Sequence, residues 1–288
     1  MQEFCALAEE LGAGLAPEPL IPCAMAARLL SGPSLAALLS GDKVVIPAWQ
    51  ERANSLDPVA DARFSMGRVH ARKVFVPAAA GADAFLVTAN SAVAWVDRNA
   101  DGASLTVAPT VDGGHFGTLT LANAPAEPVA RASLEQFGQA IDEAALATAA
   151  YLLGVMQRSF AMTVDYLGSR KQFGRPIGSN QALQHRAVDL QIQIALTRAS
   201  IESAARVFDS DAPLAAKQAA ASRAKARAAE ASMLVTRQSV QLHGAIGYTD
   251  ECDVGLYLRK AMVLANLYGS ADVHRARFAA VAPGLEEG

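Results

Sequence analysis

The period of the hydrophobic positions changes twice along this chain. Phe4, Leu7, Leu11 and Leu15 recur every three or four residues, as one face of a helix requires. Pro17 and Pro19 stop that helix. A second helical piece carries Met25, Leu29 and Leu30 and breaks at Ser31-Gly32-Pro33-Ser34. From about Lys43 to Val129 the pattern turns into short β-branched and aromatic runs. These are Val44-Val45-Ile46, Val74-Phe75-Val76, Phe85-Leu86-Val87, Ala92 to Val96, Ser104 to Val107 and Gly117 to Leu121, with Gly, Asp and Asn clusters between them. Such spacing predicts a small antiparallel sheet or barrel.

From about Arg131 to Val281 the helical period returns. One long helix ends near Gly168. Leu183, Ala187, Leu190, Ile194, Ile201 and Phe208 then form one stripe along a helix of roughly eight turns, with Ser179 as its N-cap. The next helix runs from near Pro213 through an alanine-rich stretch to His243, with Gly244 as its cap. Two further helices cover roughly Val254 to Ala265 and Ser270 to Ala280. Long helices joined by short loops pack antiparallel. The fold class predicted is α+β: helices over 1–42, a small antiparallel β domain over 43–130, and an antiparallel four-helix-type bundle over 131–288.

Composition narrows the function. Over 288 residues the chain is 52% hydrophobic and 18% charged, with a net charge of -3. That length suffices for a packed core, and no basic field is present to attract nucleic acid. No apolar run approaches the roughly 18 residues of a membrane span, and the N-terminus lacks a signal-peptide pattern. Cys5, Cys23 and Cys252 show no metal or CxxC spacing and read as reduced thiols, so a cytoplasmic protein is expected. The five histidines are scattered, and no metal site is expected.

Two apparent motifs do not hold. Asp97, Asn99, Asp101 and Gly102 open like a calcium loop, but Ala108 stands where the bidentate glutamate belongs, and a hairpin turn explains the residues. Gly113-Gly114-His115-Phe116-Gly117 lacks the strand and helix that a dinucleotide fingerprint needs. No G-x-S-x-G elbow is present.

Two segments hold candidate chemistry. In Arg170 to Gln181, RKQFGRPIGSNQ, an arginine precedes a glycine turn and a new helix. The amides of Ser179, Asn180 and Gln181 lie at the positive end of that helix dipole, and an arginine fork beside them suits a diphosphate. An ordinary αα-corner with a surface arginine and a capping serine explains the same residues. In Gln241 to Tyr248, QLHGAIGY, Gly244 and Gly247 allow close approach of a ligand, or else merely end a helix.

Together these segments resemble the C-terminal part of the acyl-CoA dehydrogenases. The resemblance continues in Leu258-Arg259-Lys260-Ala261 and in Tyr268 to Asp272, similar to the family's YEGTAQ turn. It extends weakly to Ala8 to Gly12 with Pro17-Glu18-Pro19, and to Lys73 to Pro77 with Ala82-Asp83. The family oxidises the Cα–Cβ bond of an acyl-CoA: a glutamate removes the α proton and FAD takes the β hydride. Its FAD lies across a subunit interface. The resemblance implies a cofactor cradle of Arg170, Asn180 and Gln181, then Gln241, Leu242, His243, Gly244 and Ala245, then Ser270, Ala271 and Asp272. Asp272 replaces a glutamine, and a carboxylate near a diphosphate is unfavourable.

Three departures matter. The N-terminal helical domain is shortened, so that 1–42 corresponds to its remnant. Tyr268 occupies the position of the base, and tyrosine, with a reference pKa of about 10, is a poor one. The family's alternative base position falls on Ala144, one residue from Glu143, which leaves Glu143 a weak candidate and Glu51 a second. The flavin-ring motifs are replaced by Pro47-Ala48-Trp49-Gln50-Glu51-Arg52 and by Phe75 and Pro77. The reading these favour is a non-catalytic partner subunit in an FAD-dependent acyl-CoA dehydrogenase, hetero-oligomeric and acting on a bulky lipid or steroid thioester. The alternatives are a self-sufficient, homo-oligomeric dehydrogenase with a relocated base, and a flavin-free scaffold. By analogy the electron acceptor is an electron-transfer flavoprotein.

Overall fold

A computed structural model of the chain describes residues 1–59, 61–90, 92–130 and 132–282. Arg131, where the sequence begins its helical half, and residues 283–288 lie outside them. Contacts group the chain into two units, Pro17–Ala144 and Met1–Ala16 with Ala145–Gly288.

The unit Pro17–Ala144 carries α2 (Leu20–Leu29), α3 (Gly32–Ser40) and eight strands. The break read at Ser31-Gly32-Pro33-Ser34 is where α2 gives way to α3, with Ser31 as the N-cap and Gly32-Pro33-Ser34 as the first turn of α3. Proline lacks an N–H that a first turn would leave unpaired anyway, so it starts a helix as readily as it ends one. Strands β1 (Val45–Ala48), β4 (Ala84–Ala89), β5 (Ala92–Asp97) and β8 (Glu127–Pro128) form one sheet in that order. Strands β2 (Arg63–Ser65), β3 (Arg68–Pro77), β7 (His115–Pro125) and β6 (Ala103–Pro109) form the other. All neighbours are antiparallel except β1 and β4, which run parallel. Alternation puts Ile46, Val69, Phe85, Val96, Leu119 and Leu121 into one core cluster drawn from both sheets. Helix α4 (Leu134–Ser169) starts in this unit. Its entry is a capping box: Ser133 Oγ accepts from the Gln136 amide at 3.1 Å and Gln136 Oε1 accepts from the Ser133 amide at 3.0 Å.

The other unit is helical: α1 (Gln2–Ala13), the rest of α4, α5 (Gln181–Phe208), α6 (Leu214–His243), α7 (Val254–Leu264) and α8 (Ala271–Val281). Helix α6 is central and packs against α5, α7 and α8. Its buried Ala219, Ala221, Ala224, Ala228 and Ala231 let those neighbours come close. The stripe predicted on α5 faces inward at Leu190, Ile194 and Ile201, which are 3% exposed each. Gly154 of α4 faces α1 so closely that a Cβ there would lie 1.9 Å from the Glu9 carbonyl oxygen. Among the described residues, no helix is long and apolar enough to cross a membrane.

Candidate functional site

Helix α4 ends in a structure that its sequence concealed. Between it and α5 stands a two-stranded hairpin, β9 (Lys171–Gln172) against β10 (Arg175–Pro176). Its two turn residues, Phe173 and Gly174, have φ of 51° and 79°, as the tight hairpin turn with two left-handed residues demands. An aromatic is an unusual choice at such a φ, and Phe173 is fully exposed at the tip. The hairpin is followed by one turn of 3-10 helix, Ile177–Ser179, so α5 begins at Gln181 with Asn180 as its N-cap. Ser179, expected as the cap, instead donates its hydroxyl to the Pro176 carbonyl at 2.7 Å.

The backbone of Arg170 is pinned: its amide donates to Tyr166 O and its carbonyl accepts from Ile177, both at 2.8 Å. The Arg170 side chain is exposed beside the α5 N-terminus, as is Gln181. The Asn180 amide is engaged at both ends, accepting from Arg175 at 2.8 Å and donating to Ile177 O at 2.9 Å. Arg175 was not singled out in the sequence, because nothing in its spacing marks a partner five residues on.

The second segment ends α6. Leu242 and His243 are buried, whereas Gln241, Gly244 and Ala245 are exposed. His243 Nδ1 lies 2.8 Å from Ser239 O, and its ring stacks on Tyr166 with centroids 4.6 Å apart. Tyr166 belongs to the last turn of α4, so this stack brings the Gln241–Ala245 segment beside Arg170. The two glycines divide their roles. Gly244 has φ of 66° and open space where a Cβ would be, so its backbone is approachable. Gly247 is needed for packing, since a Cβ there would lie 2.6 Å from Val240 O.

The third segment leads into α8 and packs against another part of α6. Tyr268 and Gly269 have φ of 55° and 100°. Ser270 caps α8, accepting from the Val273 amide at 3.4 Å. Ser270, Ala271 and Asp272 line a groove of about 900 Å³ with Arg227, Arg237 and Asn266. The turn is held from α6 by Lys225, and the roughly 18 residues from Lys225 to His243 span roughly 27 Å. The groove lined by Ser270–Asp272 follows α6 from Arg227 to Gln238 and ends short of the His243–Tyr166 stack.

Lys225 is wholly buried, and burial pulls its pKa from 10.5 down to about 7. Between those values the unfolded chain binds the proton that the folded chain has lost, so stability rises with pH across that window. The limiting slope is about 1.4 kcal/mol per pH unit. Buried Cys5, pushed up from 9.0 to about 12, acts in the opposite sense only near and above 9. Urea unfolding between pH 7 and 8.5 is expected to show increasing stability in the wild type and a much smaller increase in Lys225→Met.

The positions expected to hold a base are occupied otherwise. The Tyr268 side chain is buried. Glu143 accepts from Arg28 Nε at 2.9 and 3.2 Å. Glu51 accepts from Lys73 Nζ at 2.7 Å and from the amides of Asp61 and Ala62 at 2.8 and 3.2 Å. Burial would raise the Glu51 pKa, but the Lys73 bond and these amides outweigh it and hold the carboxyl below its ordinary value. Lys73 itself is 0% exposed, and burial lowers its pKa against the pull of Glu51. Its other contacts are Trp49 O at 3.2 Å and Thr88 Oγ1 at 3.3 Å.

These details bear on a flavin nucleotide. Around Pro47–Arg52, Trp49 is buried and packs on Phe137 at 6.0 Å and Glu51 meets Lys73, whereas Arg52 is exposed and pairs with Asp61 at 2.9 Å. That segment does not fit the polar recognition of a flavin ring. Phe75 is 44% exposed, with Phe116 edge-on. The Arg170 and Gly244 neighbourhood does fit a diphosphate, offering an exposed arginine, a helix N-terminus without a side-chain cap bond and an approachable glycine. Among the described residues, no group of three or more His, Cys, Asp and Glu is placed to hold a metal ion.

Residues 134–282 match the family described as acyl-CoA dehydrogenase, C-terminal domain. Acyl-CoA dehydrogenase IpdE2 of Mycolicibacterium smegmatis is 44% identical over 128 residues, covering 44% of this chain and 39% of the relative. The chain thus matches well under half of that relative's length. Among solved structures, the Tcur3481-Tcur3483 steroid ACAD G363A variant superposes with a TM-score of 0.88 at 28% identity, covering 99% of this chain and 81% of that one. The ChsE4-ChsE5 complex from Mycobacterium tuberculosis gives 0.85 at 26% identity, covering 99% and 80%.

Proposed function

Because the chain belongs to the acyl-CoA dehydrogenase family, we propose that it serves as the partner subunit of a hetero-oligomeric enzyme that desaturates a bulky acyl-CoA with FAD. The observation that carries this reading is an asymmetry. The diphosphate-binding half of the cofactor cradle is open, while the residues at the ring and base positions are committed to the protein itself. FAD, when bound, accepts the hydride removed from Cβ of the thioester. In this proposal Arg170 and the first amides of α5 neutralise its diphosphate, Gln181 and Gln241 supply polar contacts, and Gly244 and Ala245 admit it closely. Leu242 and His243 act from beneath, holding that backbone through the Tyr166 stack. Ser270–Asp272 would serve a separate cofactor position.

Two further observations support a partner. Val188, Ile192 and Leu196 lie four residues apart on α5 and are 57%, 48% and 52% exposed, an apolar stripe suited to another subunit. The similar ChsE4-ChsE5 structure is described as a complex of two named components, and the Tcur3481-Tcur3483 enzyme as a steroid ACAD. A steroid-derived thioester is accordingly the substrate class proposed.

The test compares Arg170→Ala with Glu143→Gln in the assembled enzyme. Arg170→Ala is expected to weaken FAD binding at least tenfold, in keeping with roughly 1.5–3 kcal/mol for a charge-assisted hydrogen bond. Glu143→Gln is expected to leave turnover within about twofold. Loss of turnover in a stable, flavin-loaded Glu143→Gln enzyme would reject the partner role and make Glu143 the base.

A further inference from the structure

Three backbone carbonyls of one turn are gripped from inside by two side chains. Lys225 projects from the middle of α6, and its Nζ donates to Ala265 O and to Gly269 O, both at 2.9 Å. His274, fully buried in the first turn of α8, has Nε2 at 2.8 Å from Tyr268 O and Nδ1 at 3.3 Å from Ser222 Oγ. A carbonyl only accepts, so Nε2 carries the ring proton and Nδ1 accepts from the serine hydroxyl. The imidazole is thereby held neutral in a single tautomer. Burial, joined by the charge of Lys225, opposes its protonation and lowers its pKa to about 3.

The segment gripped in this way does not hold its shape unaided. Tyr268 has φ of 55°, a left-handed conformation that side-chain-bearing residues rarely adopt and that persists only where the surroundings impose it. Both hydrogen-bond partners of Lys225 are carbonyl oxygens, which are weaker compensation for a buried charge than a carboxylate. A methionine would fill similar volume with no charge to desolvate, but it would leave both carbonyls without their donor. What the lysine secures, beyond filling space, is the path of the chain from Ala265 to Ser270. That path sets where Ser270 caps α8 and where the exposed start of α8 meets the groove lined by Arg227, Arg237 and Asn266.

We infer that Lys225 and His274 are positioning residues that fix the Tyr268–Ser270 turn and thereby aim the α8 N-terminus at the flavin cofactor. The inference rests on the proposed function in one respect, that Ser270–Asp272 meet a cofactor in the assembly. Lys225 acts on the backbone alone, and His274 couples the same backbone to Ser222 of α6. Neither side chain touches the cofactor.

The test has two arms. Hydrogen–deuterium exchange of the full chain reads the turn directly. Lys225→Met and His274→Leu are expected to speed exchange of amides 266–274 at least tenfold, while α5 and both ends of α6 stay as in the wild type. His274→Gln keeps a donor near Tyr268 O and is expected to restore slow exchange. The second arm measures binding of added FAD by the chain co-purified with a longer relative. Both disruptive variants are expected to weaken it at least tenfold, and His274→Gln is expected to retain it. Unchanged exchange at 266–274 in both disruptive variants would overturn the inference. So would faster exchange of the turn with undiminished FAD binding. If Lys225→Met unfolds the whole bundle, the His274→Leu and His274→Gln pair decides by the same criteria. Wild-type protein that binds no FAD in any preparation would defeat the proposed function and the cofactor half of this inference, while the exchange arm still reports on the grip.

Discussion

Gly154→Ala is expected to destabilise the helical unit by about 3 kcal/mol, the upper range for forcing extra volume into a packed site. The added Cβ would lie 1.9 Å from Glu9 O and 2.7 Å from the Ala13 amide nitrogen. Both obstacles are backbone, so no side-chain rotation relieves them and α1 must move away from α4. Gly12 makes the reciprocal approach, with a Cβ position 2.0 Å from Tyr151 O. Displacing α1 would also stretch the bonds from Tyr151 Oη to Ala16 O and from Tyr257 Oη to Ala13 O, now 2.9 and 3.0 Å. Gly168→Ala, in the last turns of the same helix, is the control. A Cβ there meets nothing within 4 Å, and the change should be neutral or stabilising by up to about 1 kcal/mol. Urea unfolding of the three proteins measures the difference. Equal stability of Gly154→Ala and wild type would refute the close crossing of α1 and α4.

Most of this fold was legible because it obeys local rules. The 3.6-residue period, Pro213 at one end and Gly244 at the other place α6 in the sequence almost as it stands at Leu214–His243. The six strands signalled by β-branched runs all occur, because alternating burial and turn residues are local properties. The short strands β2 and β8, with three and two residues, carry too little pattern to be seen. The hairpin between α4 and α5 was hidden because a single glycine turn reads equally as a helix corner.

The candidate site was legible in its parts and not in its arrangement. Arg170, Gln181 and Gly244 could be named from motifs, but their proximity depends on Tyr166 meeting His243, residues on different helices. The two buried lysines gave no signal. Lys225 stands between Arg223 and Arg227 in an alanine-rich stretch and reads like its neighbours; its partners are carbonyls 40 and 44 residues away, and a carbonyl has no sequence signature. Lys73 finds Glu51 at a separation of 22 residues, across a loop of no regular spacing. Glu51, the second candidate base, therefore gave no sign in the sequence of its contact with the buried Lys73.

The largest effect expected is in flavin binding, which should be nearly all-or-none with respect to the partner. The segment proposed for the diphosphate is open, whereas Trp49 and Tyr268 are buried, Glu51 holds Lys73 and Arg52 pairs with Asp61. Diphosphate contacts alone, each worth roughly 1.5–3 kcal/mol, leave little after the cost of immobilising a dinucleotide. A second subunit that supplies the ring contacts and the base would complete the site.

The deciding measurement is the absorbance from 300 to 550 nm of the chain purified alone with added FAD, and of the chain co-expressed with a longer relative. The account predicts no bound flavin in the first, and in the second a bound-flavin spectrum that bleaches with an acyl-CoA and is lost in Arg170→Ala. A flavin spectrum from the chain alone, bleached by an acyl-CoA, would contradict it.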